Sequence, residues 1–524
     1  MPALNFGVDY GITKKTKQKT KTKKMKKVIN RILSILLCSV SLGIWACSSD
    51  SGTEEPKPAA KTLTVDTSKI DFDSNENTTS VKISGTVSSW SVSSSDASWI
   101  QLSQTSGSGT VTISIKALAN ASTSSRSAVV TVSSTEAASV QVLISQLGVI
   151  VVAPLYPSYN TNPLPADATG MANSATDLAA KIKLGWNIGN TLEATGGETA
   201  WGNPKVTKAL IDLVKANGFN AIRIPCSWNQ YLANTTTAQI KADWLNRVKE
   251  VVQYCVDNDM YVIVNIHWDG GWLENNVTEA KKIENNAKQK AFWEQIATNL
   301  RGFDEHLLFA SANEPNVDNA TQMSVLTSYH QTFIDAVRST GGKNAYRTLI
   351  IQGPTTDIEK TNKLMLTLPT DNVANKMMVE VHYYTPYQFC LMDKDADWGK
   401  MFYYWGATNH STTDLTRNPT WGEEADLEKF FKSMKSQFVD KGIPVVLGEF
   451  GAIRRDLTGD ALTLHLNSRA YFLKTVVKQA KANGMLPFYW DAGNLGTNTM
   501  SLFNRTNNTV YDQQALTALQ DGLK

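Results

Sequence analysis

From about residue 173 to the C-terminus, apolar runs of strand length alternate with amphipathic stretches of helix length eight times over. The runs are Leu184–Ile188, Ala221–Ile224, Tyr261–Ile266, Leu307–Ala312, Thr348–Gln352, Met377–His382, Pro444–Leu447 and Met485–Tyr489. Between them lie helical candidates at Lys205–Ala216, Asp243–Val256, Lys288–Leu300, Ser324–Arg338, Leu427–Val439 and Arg469–Ala482. Over Asp243–Val256, Leu245, Val248, Val252 and Cys255 recur at helical spacing. Gly218, Gly442 and Gly484 follow three of the helices where a left-handed cap is wanted. Eight alternations of this kind predict an α/β fold, a (β/α)8 TIM barrel with long loops. A doubly wound sheet is the alternative. No Gly-x-Gly-x-x-Gly or Gly-x-x-x-x-Gly-Lys follows any strand, so the usual ligands of such a sheet have no cradle.

At 524 residues the chain is longer than one ordinary domain. From Thr62 to Leu147 the composition turns to Ser, Thr and Val, with alternating runs at Ser80–Ser84, Thr110–Ile115, Ala128–Val132 and Val140–Ile144. Period-two patterning between Gly, Ser and Asn breaks predicts a small antiparallel β-sandwich, with Trp90 and Trp99 filling its core. Residues 148–172 hold Pro154, Pro157, Pro163 and Pro165 and read as a semi-stiff linker. The barrel is expected over 173–524.

The formal charge of +3 hides an asymmetry. Residues 1–46 carry ten Lys or Arg against one Asp, so the rest of the chain sums to about −6. Nine of these basic residues are lysines between Lys14 and Lys27, and an uncharged apolar stretch from Ile32 to Ala46 follows them. A basic segment followed by an apolar one is the order of a secretory signal, and this argues against a nucleic-acid role. The stretch is short for a membrane span. Its end, Ile44-Trp45-Ala46-Cys47, resembles a bacterial lipoprotein signal, with Trp45 where a small residue is usual. That resemblance implies lipidation of Cys47, export, and anchoring at the outer membrane; plain secretion is the alternative. Met25 would be a start giving a more ordinary signal length. Residues 47–61 read as a flexible tether. Cys226, Cys255 and Cys390 lie far apart without a Cys-x-x-Cys pair, so buried thiols are expected rather than a zinc site or a disulfide framework.

In a barrel of this kind, functional side chains belong at the C-terminal ends of the strands. Strand two ends Arg223-Ile224-Pro225, strand three His267-Trp268-Asp269 and strand four Asn313-Glu314-Pro315. Strand six ends His382-Tyr383-Tyr384, strand seven Gly448-Glu449-Phe450-Gly451 and strand eight Trp490-Asp491. Proline cannot donate to a ladder, so strand four should stop at Pro315, leaving Glu314 poised on the rim. Glu314 and Glu449 form a pair suited to glycoside hydrolysis, which needs two carboxylates flanking the scissile bond. Asp269 and Asp491 sit further past their strands and suit loop capping. His267 and His382 invite a metal reading, yet no His-x-x-x-His or Cys pair completes a coordination set. His306, His330, His410 and His465 read as ordinary loop or helix residues.

Two stretches resemble known families. Trp99-Ile100, Ser106-Gly107-Ser108-Gly109 and Ile144-Ser145-Gln146-Leu147-Gly148 make residues 62–147 similar to the BACON family of small β-sandwich modules. Gly185-Trp186-Asn187-Ile188-Gly189-Asn190-Thr191, Arg223-Ile224-Pro225, His267-Trp268, Asn313-Glu314-Pro315, His382-Tyr383-Tyr384 and Gly448-Glu449-Phe450-Gly451 together resemble glycoside hydrolase family 5. Thr199-Ala200-Trp201-Gly202-Asn203-Pro204 points to its endoglucanase and xyloglucanase branch, subfamily 4.

The family-5 resemblance implies a retaining endo-β-1,4-glucanase acting on a β-glucan, without cofactor or metal. Glu314 is then the acid/base and Glu449 the nucleophile. Asn313 contacts the sugar 2-hydroxyl, Arg223 and Tyr384 position the nucleophile, and His267, His382 and Trp490 complete the −1 subsite. With another register, Tyr383 would take the role of Tyr384. Trp201, Trp228, Trp268, Trp272, Trp398, Trp405 and Trp421 are candidate cleft walls, because an aromatic ring buries the apolar face of a pyranose. The competing reading is a non-catalytic glycan-binding lipoprotein. Monomer is the default state.

Overall fold

The structure is a computed structural model that describes residues 59–150 and 153–524. The expected export signal, Cys47 and most of the expected tether therefore lie outside the described residues. The chain divides into two compact units near residue 151, and each is described by itself.

The first unit is a two-sheet sandwich. One sheet orders Leu63–Val65, Asn77–Gly85, Val111–Ala117 and Ile100–Leu102; the other orders Lys69–Phe72, Val140–Gln146, Arg126–Ser133, Trp90–Ser94 and Ser106–Gly107. Alternate residues point inward, and Val81, Ile83, Ile113, Ile115, Val130, Val132, Val142 and Ile144 form the core. Trp90 and Trp99 are buried there as expected. Each indole N–H finds a partner, Trp90 at the Gly109 carbonyl and Trp99 at the Asp96 carboxylate, both 3.0 Å away. A Cβ at Gly107 would sit 2.5 Å from the Trp90 ring, so glycine is required there. One pairing departs from the antiparallel expectation: Lys69–Phe72 runs parallel to Val140–Gln146. The N-terminal strand is divided between the sheets, and its second half covers the edge of the last strand.

In the second unit eight strands close a barrel in sequence order, every neighbouring pair parallel. Strands one to eight are Gly185–Ile188, Ala221–Ile224, Tyr261–Asn265, Leu307–Ala310, Leu349–Gln352, Met377–Tyr383, Val445–Phe450 and Met485–Asp491. The main surrounding helices are Lys208–Ala216, Ala242–Val256, Lys282–Leu300, Ala320–Ser339, Ile358–Leu364, Glu424–Gln437, Gly459–Ala482 and Gln513–Asp521. Outward strand residues such as Trp186, Ile222, Val264, Phe309, Ile351 and Val381 pack with the helices. Inward residues Ile263, Leu308, Ile350, Met378, Val446, Leu486 and Phe488 pack with Ala175 and Leu178 of the short helix Ala175–Lys181, which closes the N-terminal end. Polar inward residues are thereby confined to the C-terminal end. Cys226, Cys255 and Cys390 are free and buried. No helix among the described residues is long and apolar enough to cross a membrane.

The proline-rich stretch needs correction as a linker, because from Tyr156 onward it is fastened to the barrel. Glu294, 2% exposed, accepts from the Ser158 hydroxyl (3.0 Å) and from the backbone N–H of Tyr159 (2.6 Å) and Asn160 (3.2 Å). Arg301 donates to the Asn162 carbonyl at 2.8 Å, and Leu164–Ala166 pairs with Gly341–Gly342. Gly341 has φ +68°, and a Cβ there would lie 1.8 Å from the Leu164 carbonyl oxygen. Proline density marks an extended backbone, but Tyr156 and Tyr159 give that backbone apolar anchors on the core. Glu294→Ala leaves three donors without their acceptor and should cost about 1–3 kcal/mol. A lower melting temperature and faster proteolysis within 153–172, with cleavage of substrate unchanged, are expected; an unaltered proteolysis rate would contradict this docking.

Candidate active site

Strand alternation places one polar residue after another above the apolar plug. Asn187, Arg223, Asn265, Gln352, Glu380, His382 and Glu449 lie on strands one, two, three, five, six, six and seven, and all are buried. Strand seven needs an irregularity to do this. Its pairing with strand six slips between Val381 and His382, so that His382 faces Glu449 and Gly448 is the extra residue. The slip turns Glu449 inward and sends Phe450 outward, where its ring meets Tyr489 edge-on at 5.9 Å. Gly448 cannot be replaced without disturbance, since a Cβ would lie 2.0 Å from a Glu380 carboxylate oxygen. Strand four ends its ladder at Ala310, earlier than expected; the Ala312 N–H instead donates to the Gln352 side chain at 2.8 Å. Asn313 and Glu314 follow on the rim.

Arg223 holds the arrangement together. Its Nη1 donates to Asn187 (3.1 Å) and Glu449 Oε1 (2.9 Å), and its Nη2 donates to Asn313 Oδ1 (2.8 Å). Its Nε lies in ion-pair contact with Glu380 Oε1 at 2.9 Å. The second Glu449 oxygen accepts from the Tyr384 hydroxyl at 3.0 Å. This decides between the two tyrosines, because Tyr383 turns outward and packs against Phe431 at 5.1 Å. His382 bridges the carboxylates: Nδ1 is 2.7 Å from Glu314 Oε1, and Nε2 is 3.2 Å from Glu380 Oε1. Donor atoms of Glu314, His382 and Glu449 all lie within 4.8 Å of one another. The two glutamates differ in setting, the Glu314 side chain being 38% exposed and that of Glu449 8%. His267 lies parallel to Trp490, with ring centroids 5.8 Å apart and 9° between planes.

The charges follow from these contacts. Burial raises the Glu449 carboxyl above its ordinary range, and His382 and Arg223 act against it. Burial also opposes charge on His382, but Glu449, Glu314 and Glu380 outweigh it and lift the imidazole to about 10. His382 is therefore a doubly protonated donor between two acids. Glu380 is held below the ordinary carboxylate range despite its burial, by Arg223 and His382. Burial, Arg223 and His382 together push His267 well down, leaving it neutral. The trio of Glu314, His382 and Glu449 has the donor set of a cation site, yet the His382 imidazolium and the Arg223 guanidinium already supply positive charge there.

Every sequence-selected residue within the described part reaches this face: Arg223, His267, Asn313, Glu314, His382, Tyr384, Glu449 and Trp490. Asp269 caps the loop after strand three, accepting from the N–H groups of Trp228 (2.9 Å) and Asn229 (2.8 Å) and from the Trp272 indole (2.9 Å). Asp491 likewise accepts from the Trp186 indole at 3.0 Å and the Leu502 N–H at 2.9 Å. His330 and His465 are buried, His330 held by Ser311 and the Gln352 carbonyl. Of the candidate wall tryptophans, Trp228 and Trp405 are core residues, whereas Trp268, Trp398 and Trp421 are exposed on rim loops. Glu380 and Glu274 were missed. An acid two residues before His382 in an otherwise apolar strand was a readable signal for Glu380. Glu274 lies in a loop, and no spacing marks it.

Comparison with known proteins agrees with this geometry. Residues 187–496 match the family model for cellulase (glycosyl hydrolase family 5), and residues 88–147 match BACON, a putative N-terminal binding domain. The chain is 35% identical over 472 residues to the xyloglucan-specific endo-beta-1,4-glucanase BoGH5A of Bacteroides ovatus, covering 87% of this chain and 90% of that protein. It is 36% identical over 393 residues to endoglucanase A of Paenibacillus barcinonensis, covering 70% and 94%. Among solved structures, the Bacteroides ovatus GH5 xyloglucanase in complex with a XXXG heptasaccharide aligns with TM-score 0.65 and 35% identity, over 88% of this chain and 100% of that one. A family 5 xyloglucanase from Paenibacillus pabuli aligns with TM-score 0.61 and 39% identity, over 66% and 100%. The chain belongs to glycosyl hydrolase family 5, with a BACON module ahead of its barrel.

Proposed function

We propose that this chain is a retaining endo-β-1,4-glucanase that cleaves internal bonds of plant cell-wall glucans, with xyloglucan as its preferred backbone. The observation that carries the hydrolytic reading is the close approach of Glu314 and Glu449, with carboxylate oxygens within 4.8 Å. That spacing suits direct attack on the sugar, since inverting enzymes leave room for water with carboxyls about 6.5–9.5 Å apart. Glu449 attacks the anomeric carbon while Glu314 gives its proton to the departing glycosidic oxygen, and that C–O bond breaks. Glu314 then takes a proton from water, which attacks the same carbon and releases Glu449. Arg223 and Tyr384 hold both oxygens of the nucleophile, so its lone pair is aimed and its charge stabilised. Asn313, locked by Arg223, is placed for the sugar 2-hydroxyl, and Trp490 with His267 forms the wall of the −1 subsite.

The substrate reading rests on two supports. Exposed aromatic side chains stand on the rim loops at Trp268, Trp398, Trp421 and Tyr387, which suits an open cleft for a long chain. BoGH5A, named for xyloglucan, aligns over most of this chain, BACON region included. Purified residues 48–524 should release branched oligosaccharides from xyloglucan faster than products from mixed-linkage β-glucan, carboxymethylcellulose or mannan. Equal or greater rates on unbranched glucans would replace this with a general endoglucanase. Glu449→Ala should lower turnover on the order of 10⁴-fold or more while glucan binding persists. Retained hydrolysis would remove the nucleophile assignment, and binding without hydrolysis in the unaltered chain would favour the glycan-binding lipoprotein.

We further propose that the enzyme is exported and held at the outer membrane by a lipid on Cys47, the BACON module serving as a spacer. Cys47→Ser should shift the protein from the detergent-extracted membrane fraction to the soluble fraction of expressing bacteria. Unchanged membrane association would contradict the anchor.

A further inference from the structure

The segment that follows strand six is long, and one buried cation holds it. After Pro386 the short helix Tyr387–Cys390 begins an outgoing limb, and the chain returns through Phe402 and Tyr403. The limbs meet where the Phe402 N–H donates to the Gln388 carbonyl at 3.0 Å, and at the tip Ala396 and Gly399 exchange two backbone hydrogen bonds of 3.0 Å. Trp398, 66% exposed, sits in that tip, its ring 6.1 Å from the ring of the exposed Tyr387. Arg455, from the loop after strand seven, is buried and grips both limbs. Its Nη2 donates to the carbonyls of Gln388 (2.6 Å) and Phe389 (3.1 Å), its Nη1 to the Met392 carbonyl (2.7 Å) and Met401 Sδ (3.2 Å), and its Nε to the Phe402 carbonyl (3.0 Å). No carboxylate is among these partners. His465 accepts the Arg455 backbone N–H at Nε2 (3.1 Å) and donates from Nδ1 to the Tyr403 carbonyl (2.7 Å). A second clasp lies nearer the surface, where Arg417 donates to both Asp395 oxygens (2.5 and 2.9 Å) and covers the Tyr403 ring at 4.5 Å.

Four carbonyls converging from two limbs need donors in several directions, and a guanidinium fork supplies them from one side chain. Burying a charge to do this is costly, and what it secures is one loop shape set before substrate arrives. The Ile453 N–H also donates to the Cys390 carbonyl at 3.0 Å, tying the loop to the chain four residues past Glu449. The barrel closes in sequence order, so the loops after strands four to six stand across the mouth from strand eight. Trp490 on strand eight walls the −1 subsite, and Glu314 after strand four protonates the departing oxygen in the proposed reaction. A glucan running from Trp490 past Glu314 therefore continues towards the loop that carries Tyr387 and Trp398. We infer that Arg455 is a positioning residue for substrate selection: it holds the loop after strand six so that Tyr387 and Trp398 form a preset stacking platform for the glucosyl units on the leaving-group side. This inference rests on the hydrolytic reading above.

The test compares the whole enzyme with Arg455→Lys, which keeps the charge but offers its donors from a single atom and cannot span both limbs. Two substrates are used: cellohexaose, which places sugars on both sides of the scissile bond, and 2,4-dinitrophenyl β-cellobioside, which places none on the leaving-group side. The readout is the ratio of their kcat/KM values, in which a general loss of folded enzyme cancels. Arg455→Lys should lower the ratio, cellohexaose over aryl glycoside, roughly tenfold. The bond cut in cellohexaose should also shift towards the reducing end, because fewer units are then held beyond Glu314. Trp398→Ala, a change on an exposed ring, should move the ratio and the cleavage position in the same directions. An unchanged ratio in Arg455→Lys would overturn the proposal by reducing Arg455 to a structural tie, and an unchanged ratio in Trp398→Ala would overturn it by removing the platform. If Arg455→Lys does not fold, Asp395→Asn, which opens the second clasp, must still lower the ratio, and an unchanged ratio there overturns the proposal equally. An unaltered enzyme inactive on both substrates would instead overturn the hydrolytic reading itself.

Discussion

The site depends on one buried cation. Arg223 projects from strand two into the barrel and touches strands one, six and seven and the rim after strand four, through Asn187, Glu380, Glu449 and Asn313. Burial works against its charge, but the two glutamates outweigh this and hold it firmly protonated. Such a group tolerates no partial loss, because removing one partner of a buried pair costs about 3–5 kcal/mol. Its planar fork explains why lysine is no equivalent: three directions of donation are needed at once. Asn187, Gln352 and Glu380 complete the network, and Gln352 donates to the free Glu380 oxygen at 2.7 Å. A polar layer tied together at this many points is rigid, and rigidity is what the proposed nucleophile requires.

A second consequence is the division of labour between two like residues. Glu449 sits deep, gripped by Arg223 and Tyr384, with its orientation settled before substrate arrives. Glu314 stands nearer the solvent, with His382 against its carboxylate and Glu274 on its backbone N–H. In the proposed reaction one carboxylate stays fixed as the attacking group and the other exchanges a proton in each step. Local structure creates the difference: a bulge at Gly448 delivers Glu449 inward, and Pro315 ends the run that delivers Glu314 to the rim.

Much of this was legible in the chain. Strand two, Ala221–Ile224, matches its run residue for residue, because Pro225 cannot extend the ladder and Asn220 precedes it. Arg223, Glu314, His382 and Glu449 were readable as polar residues at or just past the ends of otherwise apolar runs. The docking of Tyr156–Ala166 was not, since prolines describe backbone stiffness and say nothing of where the segment lies. Glu294, which fastens it, looks like one more acid on a helix. Nor was the position of Glu274, which accepts the Glu314 N–H from forty positions away, a donor that every residue except proline possesses. The tryptophans show the same limit: Trp228 and Trp398 both lie in loops, yet one is buried and the other exposed.

The central claim, that Glu449 attacks the sugar directly, fixes the stereochemistry of the product. The most direct measurement is proton NMR of cellopentaose hydrolysis, recording the anomeric signal of the newly formed reducing end before mutarotation. Two displacements at one carbon predict that the β-anomer appears first and the α-anomer only later. An α-anomer at the earliest time would mean that water attacks in a single step, and the nucleophilic role of Glu449 would be wrong.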